Sequence, residues 1–251
     1  ALFFSELISR GARCYIECQP RLVNLFKRSF PSAKVFPRKK EPEPELLNSD
    51  IKFQSASGSL LQWLLAPFEK GEINEKYLLA DRVESSVFRS RYRTNGRNKI
   101  VGIGWATSFL TEGWDNIPLE TFDLLLGVPG VQFVSVQYGD HSAELEANFQ
   151  RTGIKIIEDK EVDPLQDMDS FASQLTSMDL VITLTNSTAA LACALGVPTW
   201  GISSPIVDWR FGNKSENNLW YPSLRLFRQS DKTDWSSVSK DLAQAFKEYM
   251  D

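Results

Sequence analysis

The chain has 251 residues, 42% of them hydrophobic and 24% charged, with a formal net charge of −4. That length can bury a sizeable core in one large or two small domains, and the composition is that of a soluble globular protein. Several classes are disfavoured. An acidic chain argues against nucleic acid as the main partner, no apolar stretch reaches membrane-spanning length, and one histidine (His141) with three scattered cysteines supports no zinc or histidine-rich metal centre.

Charge is unevenly spread. Residues 1–99 carry 18 Lys/Arg against 11 Asp/Glu, whereas residues 100–251 carry 10 against 21. The split fits two units with different electrostatic faces, or solvated surfaces of opposite bias. Cys14, Cys18 and Cys193 lie in apolar or strand contexts without metal spacing, which fits a reduced, cytoplasmic protein. The chain begins inside what reads as a helix, so it is expected to be part of a longer protein.

In chain order, Ala1–Ser9 reads as an amphipathic helix closed by Gly11, and Arg13–Cys18 as a strand. Pro20 opens a second helix that buries Leu22, Val23, Leu25 and Phe26, and Lys34–Phe36 is a short third element. Residues 37–50, with three prolines and mixed charge, read as an exposed loop. A strand over Ile51–Gln54, an apolar helix over Leu60–Leu65 and a basic helix over Asp81–Arg93 with Val83, Val87 and Phe88 inward are expected next. Thr94–Asn98 is polar, bears a glycine and is flanked by the change of charge sign, so it marks the domain boundary, with domains over 1–96 and 97–251.

Beyond it, strands and helices alternate. Strands are expected at Lys99–Gly104, Val131–Gln137, Ile154–Ile157 and Leu224–Phe227, and helices at Leu119–Leu126, His141–Phe149 and Ser170–Met178. A final helix over Trp235–Met250 is free to return onto the first domain. Alternation on both sides of residue 97 gives an α/β fold of two Rossmann-like units facing a cleft, the first incomplete.

The stretch Asp179–Trp200 organises this second unit. Leu180–Leu184 is a β-branched apolar run of the kind buried on both faces of a parallel sheet. Thr185-Asn186-Ser187-Thr188 offers successive N-cap residues to an Ala/Leu helix that stops at Gly196, and Val197–Trp200 starts the next strand. A helix N-terminus beyond a strand end presents N–H groups and positive dipole to an anion, and Ser187 and Thr188 add hydroxyls. The same pattern also serves an ordinary capped turn with no ligand.

Other strand-end loops join this candidate site. Gly102-Ile103-Gly104-Trp105-Ala106-Thr107-Ser108 has two glycines of a dinucleotide loop but lacks the third; its other reading is a loop whose small and hydroxyl side chains, Thr107 and Ser108 among them, line the same cleft mouth as Asn186–Thr188. Tyr138, in Gln137-Tyr138-Gly139-Asp140, is a platform for a base or sugar, or a packed rim aromatic. Asp163 and Asp169 could bond sugar hydroxyls or cap a helix. Residues 204–210 and 220–222 form an aromatic, proline-bearing segment that reads as a lid or as interdomain packing.

Taken together, Gly11-Ala12-Arg13, Glu17–Leu22, Leu25-Phe26, Ser29-Phe30-Pro31, Val101–Ile103 with Trp105, Ile117-Pro118-Leu119, Pro129–Val131 through Tyr138–Asp140, Asp179–Ile182, Ala192 through Gly196–Pro198, Asp208–Arg210, and Trp220–Pro222 with Leu226–Gln229 resemble one family over nearly the whole chain. It is the C-terminal glycosyltransferase-like domain of bacterial tetratricopeptide-repeat proteins, relatives of the heptosyltransferases with the B-type glycosyltransferase fold.

The resemblance implies transfer of a sugar from a nucleotide-sugar donor to an acceptor facing the first unit, with no metal and no other cofactor. Asn186, Ser187, Thr188, Thr107 and Ser108 would hold the donor diphosphate, and Tyr138 and Asp163 the nucleoside or sugar. The positive first unit, including Arg82, Arg89, Arg91 and Arg93, suits an anionic glycan, lipid or protein acceptor. Relatives tend to carry His where this chain has Ala190, an acidic residue at Thr185 and an arginine-rich loop at Thr111–Asn116. The family's Gly-Asp loop would precede Ala1, so no catalytic residue is assigned. The alternative is a module that keeps the fold and binds without turnover; a nicotinamide-dependent oxidoreductase rests on the glycine pair alone.

Overall fold

The computed structural model describes the chain except residues 49, 65–75, 95, 96, 98, 108–115, 206–208, 212–217, 219, 231–233 and 251. The first part contains α1 (Leu2–Ser9), β1 (Tyr15–Cys18), α2 (Val23–Ser29) and β2 (Lys34–Pro37), followed by α3 (Arg82–Tyr92). β1 and β2 pair in parallel, Ile16 opposite Val35. Pro20 sits at the start of a 3-10 turn that feeds α2, where its missing N–H costs nothing.

Later strands are β3 (Lys99–Ile103), β4 (Val131–Ser135), β5 (Leu180–Leu184), β6 (Thr199–Ser203) and β7 (Leu224–Arg228). They form one parallel sheet in the order β4-β3-β5-β6-β7, and Ile157 bridges Val134 on the outer side of β4. Counting that bridge as a strand gives the 3-2-1-4-5-6 order of a dinucleotide-type Rossmann unit, whose order reverses between β3 and β5. The helices are α4 (Asp123–Leu126), α5 (Ser142–Thr152), α6 (Met168–Thr176), α7 (Ser187–Ala194) and α8 (Ser236–Met250).

Alternate strand residues face two cores. Ile100, Val134 and Val181 face a cluster with Phe88 and Tyr92 of α3, Phe171 and Leu175 of α6, Leu191 and Leu195, and it continues into Leu25, Phe26 and Ile16 of the first part. Val101, Phe133 and Ile182 face the other way, onto Phe122, Leu125, and Leu242 and Phe246 of α8. α7 is apolar all round because it is enclosed all round, between the sheet, the first part and the Phe211–Tyr221 pair. The first part is tied down by Arg28, which grips Asp169 through both terminal guanidinium nitrogens, and by Arg21, which donates to the Pro164 carbonyl at 2.9 Å.

Several local expectations are corrected. Residues 51–54 form no strand, and Phe53 is 93% exposed. The expected helix at 60–65 is a 3-10 segment over Ser57–Gln62, with Leu65 outside the described residues. In α3, Val83 and Val87 point outward while Phe88 and Tyr92 are buried. The cause is polar: Glu84, Ser85 and Arg89 bond Ser170, Thr176, and Ser177 with Asp179, so that face turns toward α6.

Candidate functional site

Because all five strands are parallel, their C-terminal ends share one edge, and the loops after β3 and β5 meet there at the switch point. Thr183, at this end of β5, lies under Gly104: a Cβ built on Gly104 would stand 2.7 Å from the Thr183 hydroxyl oxygen. A Cβ on Gly102 would stand 2.3 Å from the Met178 sulfur. Gly104 thus has a packing reason to be glycine, and the Gly102 contact falls on the flexible end of Met178, so the glycine pair gives the nicotinamide reading little support.

After β5, Asn186 is the N-cap of α7. Its side-chain oxygen accepts the N–H groups of Thr188, at 2.9 Å, and Ala189, at 3.3 Å. Ser187 is exposed, whereas Thr188 is buried. After β3, the Gln137 side-chain oxygen accepts from Trp105 N at 3.0 Å and Ala106 N at 2.8 Å, and the Asn116 oxygen accepts from Thr107 N at 2.9 Å. Tyr138 brings its hydroxyl to 3.4 Å from that of Thr107. Five backbone donors of the two switch-point loops are therefore held by three amide side chains. Gln137 belongs to a stretch expected at the site, but its hold on backbone N–H groups was not expected, nor was that of Asn116; their sequence signal is an amide placed at a strand end or just before Ile117-Pro118, which many turns share.

Beside this, Trp105 packs edge-on to His141 with ring centroids 5.5 Å apart, and its indole N–H donates to Glu144. The His141 ring nitrogens lie 3.2 Å from Glu144 Oε1 and 3.2 Å from the Tyr138 carbonyl, so each faces an acceptor. Asp140 lies just before α5: the Ser142 hydroxyl and N–H bond it and hold its carboxyl below the usual range.

The remaining sequence candidates are placed as follows. Asp163 is exposed in the loop after the outermost bridge, where it accepts from Leu165 N at 2.8 Å, three strand positions from β5. Asp169 is bonded to Arg28. Ala190 is half-buried beside the Phe211–Tyr221 cluster. Ser108, the loop 111–115 and Asp208 lie outside the described residues. Of the three arginines of α3 and Arg93 just past its end, Arg89 pairs with Asp179 at 2.8 Å and Arg91 with Asp159 at 2.7 Å, and Arg82 and Arg93 are exposed. Among the described residues, no three His, Cys, Asp or Glu side chains are grouped to hold a metal, and no helix is long and apolar enough to cross a membrane.

No family model matches the chain. Among curated proteins it is similar to protein FlbA of Caulobacter vibrioides, 27% identical over 240 residues that cover 91% of this chain. The chain spans only 40% of FlbA's length. Among solved structures it is similar to the glycosyl transferase family 9 protein of Veillonella parvula, at a TM-score of 0.62 and 12% identity, over 98% of this chain and 84% of that one. The fold is that of a B-type glycosyltransferase. An E. coli ADP-heptose lipopolysaccharide heptosyltransferase II also aligns, at a TM-score of 0.49 and 12% identity over 69% of this chain and 54% of that one. In this glycosyltransferase fold, the β3/β5 switch point is where an α/β sheet of such order takes its ligand.

Proposed function

We propose that this chain is a glycosyltransferase-like domain that holds a nucleotide-sugar donor at the β3/β5 switch point and serves metal-independent sugar transfer. The observation that carries it is the strand reversal between β3 and β5, with α7 starting at Ser187 beside the loop after β3, in a fold shared with a family 9 glycosyltransferase. In this reading residues 97–251 are the donor unit and 1–96 the acceptor-side unit of a larger cytoplasmic protein that includes tetratricopeptide repeats. The donor diphosphate meets the Ser187 hydroxyl and N–H; Thr107 stands across from it, Ser108 is proposed to share its role, and Tyr138 and Asp163 serve the nucleoside or sugar. Arg82 and Arg93 suit an anionic acceptor, a glycan, lipid or protein.

A second reading, a binding module without turnover, is favoured by one observation: the donors that would meet developing negative charge are occupied by Asn186, Gln137 and Asn116. A thermal-shift screen of nucleotide sugars tests the common part. A binder at 100 times its dissociation constant contributes about 2.7 kcal/mol of stability. Ser187→Asp should abolish that shift while leaving the unliganded melting point nearly unchanged, because an acidic residue suits a helix N-terminus. Donor hydrolysis, with and without Ala190→His, then separates enzyme from binding module.

A further inference from the structure

Among the described residues, β7 is an edge strand of the sheet. β7 pairs with β6 on one side, and no described residue pairs with the other. The Ser223 carbonyl and the Gln229 N–H both bond β6, so by the alternation of a parallel ladder residues 223, 225, 227 and 229 turn toward it. Leu226 then turns its N–H and C=O outward, into a groove of about 540 Å3 between the strand edge and α8. Open edges are commonly blunted by charged side chains that project across them. Here Arg225 folds back instead, its guanidinium 5.6 Å from the Trp200 ring centre and 5.1 Å from that of Phe227. The far wall of the groove is acidic and exposed: Asp241 and Glu248 of α8, with Gln244 between them.

We propose that this edge binds a second copy of the same chain, the two β7 strands pairing antiparallel about a two-fold axis at Leu226. The strand is self-complementary in that register. Leu226 faces Leu226 of the second copy as a hydrogen-bonded pair, exchanging the two outward N–H···O=C bonds. Arg225 falls opposite Phe227 of the second copy, and Arg228 opposite Leu224, so no like charges meet across the strands. A two-fold axis perpendicular to the sheet keeps faces unchanged. Arg225 of the second copy therefore enters on the α8 side, against Asp241 and Glu248 of the far wall.

Sedimentation equilibrium of the whole chain tests this. A dimer is expected, with Arg225→Glu and the pair Asp241→Lys with Glu248→Lys each monomeric. Mixing the two variants should restore a dimer, because each chain then meets an opposite charge in both halves of the interface. Circular dichroism melts check that these surface variants stay folded. Leu226→Pro, which removes an N–H that β6 does not use, should also give monomers. Monomers of the unmodified chain at all concentrations, a dimer indifferent to these changes, or charge variants that stay monomeric when mixed would each overturn the proposal.

Discussion

The side-chain oxygen of Asn186 lies 2.9 Å from the backbone nitrogen of Thr188, and that contact occupies the place an anion would take at the start of α7. A helix N-terminus binds anions through its free N–H groups, and an Asx cap is the intramolecular competitor for them. Asn186→Gly should therefore do two things. Stability should fall by only about 0.3 kcal/mol, since glycine is a tolerated N-cap. Affinity for inorganic pyrophosphate, read by titration calorimetry, should rise as Thr188 N–H and Ala189 N–H become available. Weaker or unchanged binding would show that the cap does not compete with the anion.

Tyr92 joins three elements in the buried seam between α3 and α6. Its hydroxyl donates to Asp159 at 2.7 Å and accepts from Gln174 at 2.9 Å, with Arg91 on the same carboxylate oxygen. Tyr92→Phe preserves the ring and leaves the Gln174 amide without that acceptor and Asp159 without one donor. An unsatisfied buried polar group costs about 1–3 kcal/mol, so unfolding in urea should shift by that order with an unchanged slope. A shift no larger than that of an exposed substitution would mean water replaces the hydroxyl.

Three helices are preceded by a carboxylate whose pKa is held down by hydrogen bonds from the first residues of the helix. Asp81 is lowered mainly by the Glu84 N–H, with Val83 N–H and Arg28 adding to it; Asp140 by the Ser142 hydroxyl and N–H; Asp234 by the Ser236 N–H and hydroxyl. A carboxylate with a lowered folded pKa contributes stability above its unfolded value of about 3.9, and that contribution is lost as pH falls through the folded value. The melting temperature should thus drop on acidification below about pH 4. Asp81→Asn, which keeps an acceptor but cannot titrate, should flatten part of that drop; an identical pH profile would exclude Asp81 as a contributor.

The parts of this fold that were legible are those where one residue type has one use. Leu180–Leu184 and the Ala/Leu run after it read correctly because a buried parallel strand and an enclosed helix both need unbroken apolar side chains. Asn186 was recognisable as a cap candidate. α3 misled in part because two valines at helical spacing imitate a core face, while the face that packs combines Phe88 and Tyr92 with polar groups whose partners lie about ninety positions later in the chain, at Ser170, Thr176 and Asp179. The amide holds at Gln137 and Asn116 were hidden for the same reason: a single sequence does not say which backbone N–H a distant amide will meet.

Gly104 offers the sharpest discrimination between packing and ligand approach. A methyl there would stand 2.7 Å from Thr183 Oγ1 and 3.6 Å from Val136 Cγ2, in a region where Thr183 is 1% exposed. Overpacking of this kind costs about 1–3 kcal/mol, so Gly104→Ala should destabilise the chain by that order. The Thr183 hydroxyl has no hydrogen-bond partner among the described residues, so Thr183→Ala removes the obstructing oxygen without stranding another polar group. The double variant should be less destabilised than the sum of the two single ones, with a coupling of about 1 kcal/mol, within the range measured for side chains in contact. A glycine kept only so that a dinucleotide phosphate can approach predicts no such coupling, because its cost would appear in ligand affinity and not in stability. Urea titrations of the four proteins measure it, and strictly additive effects would sink the packing account.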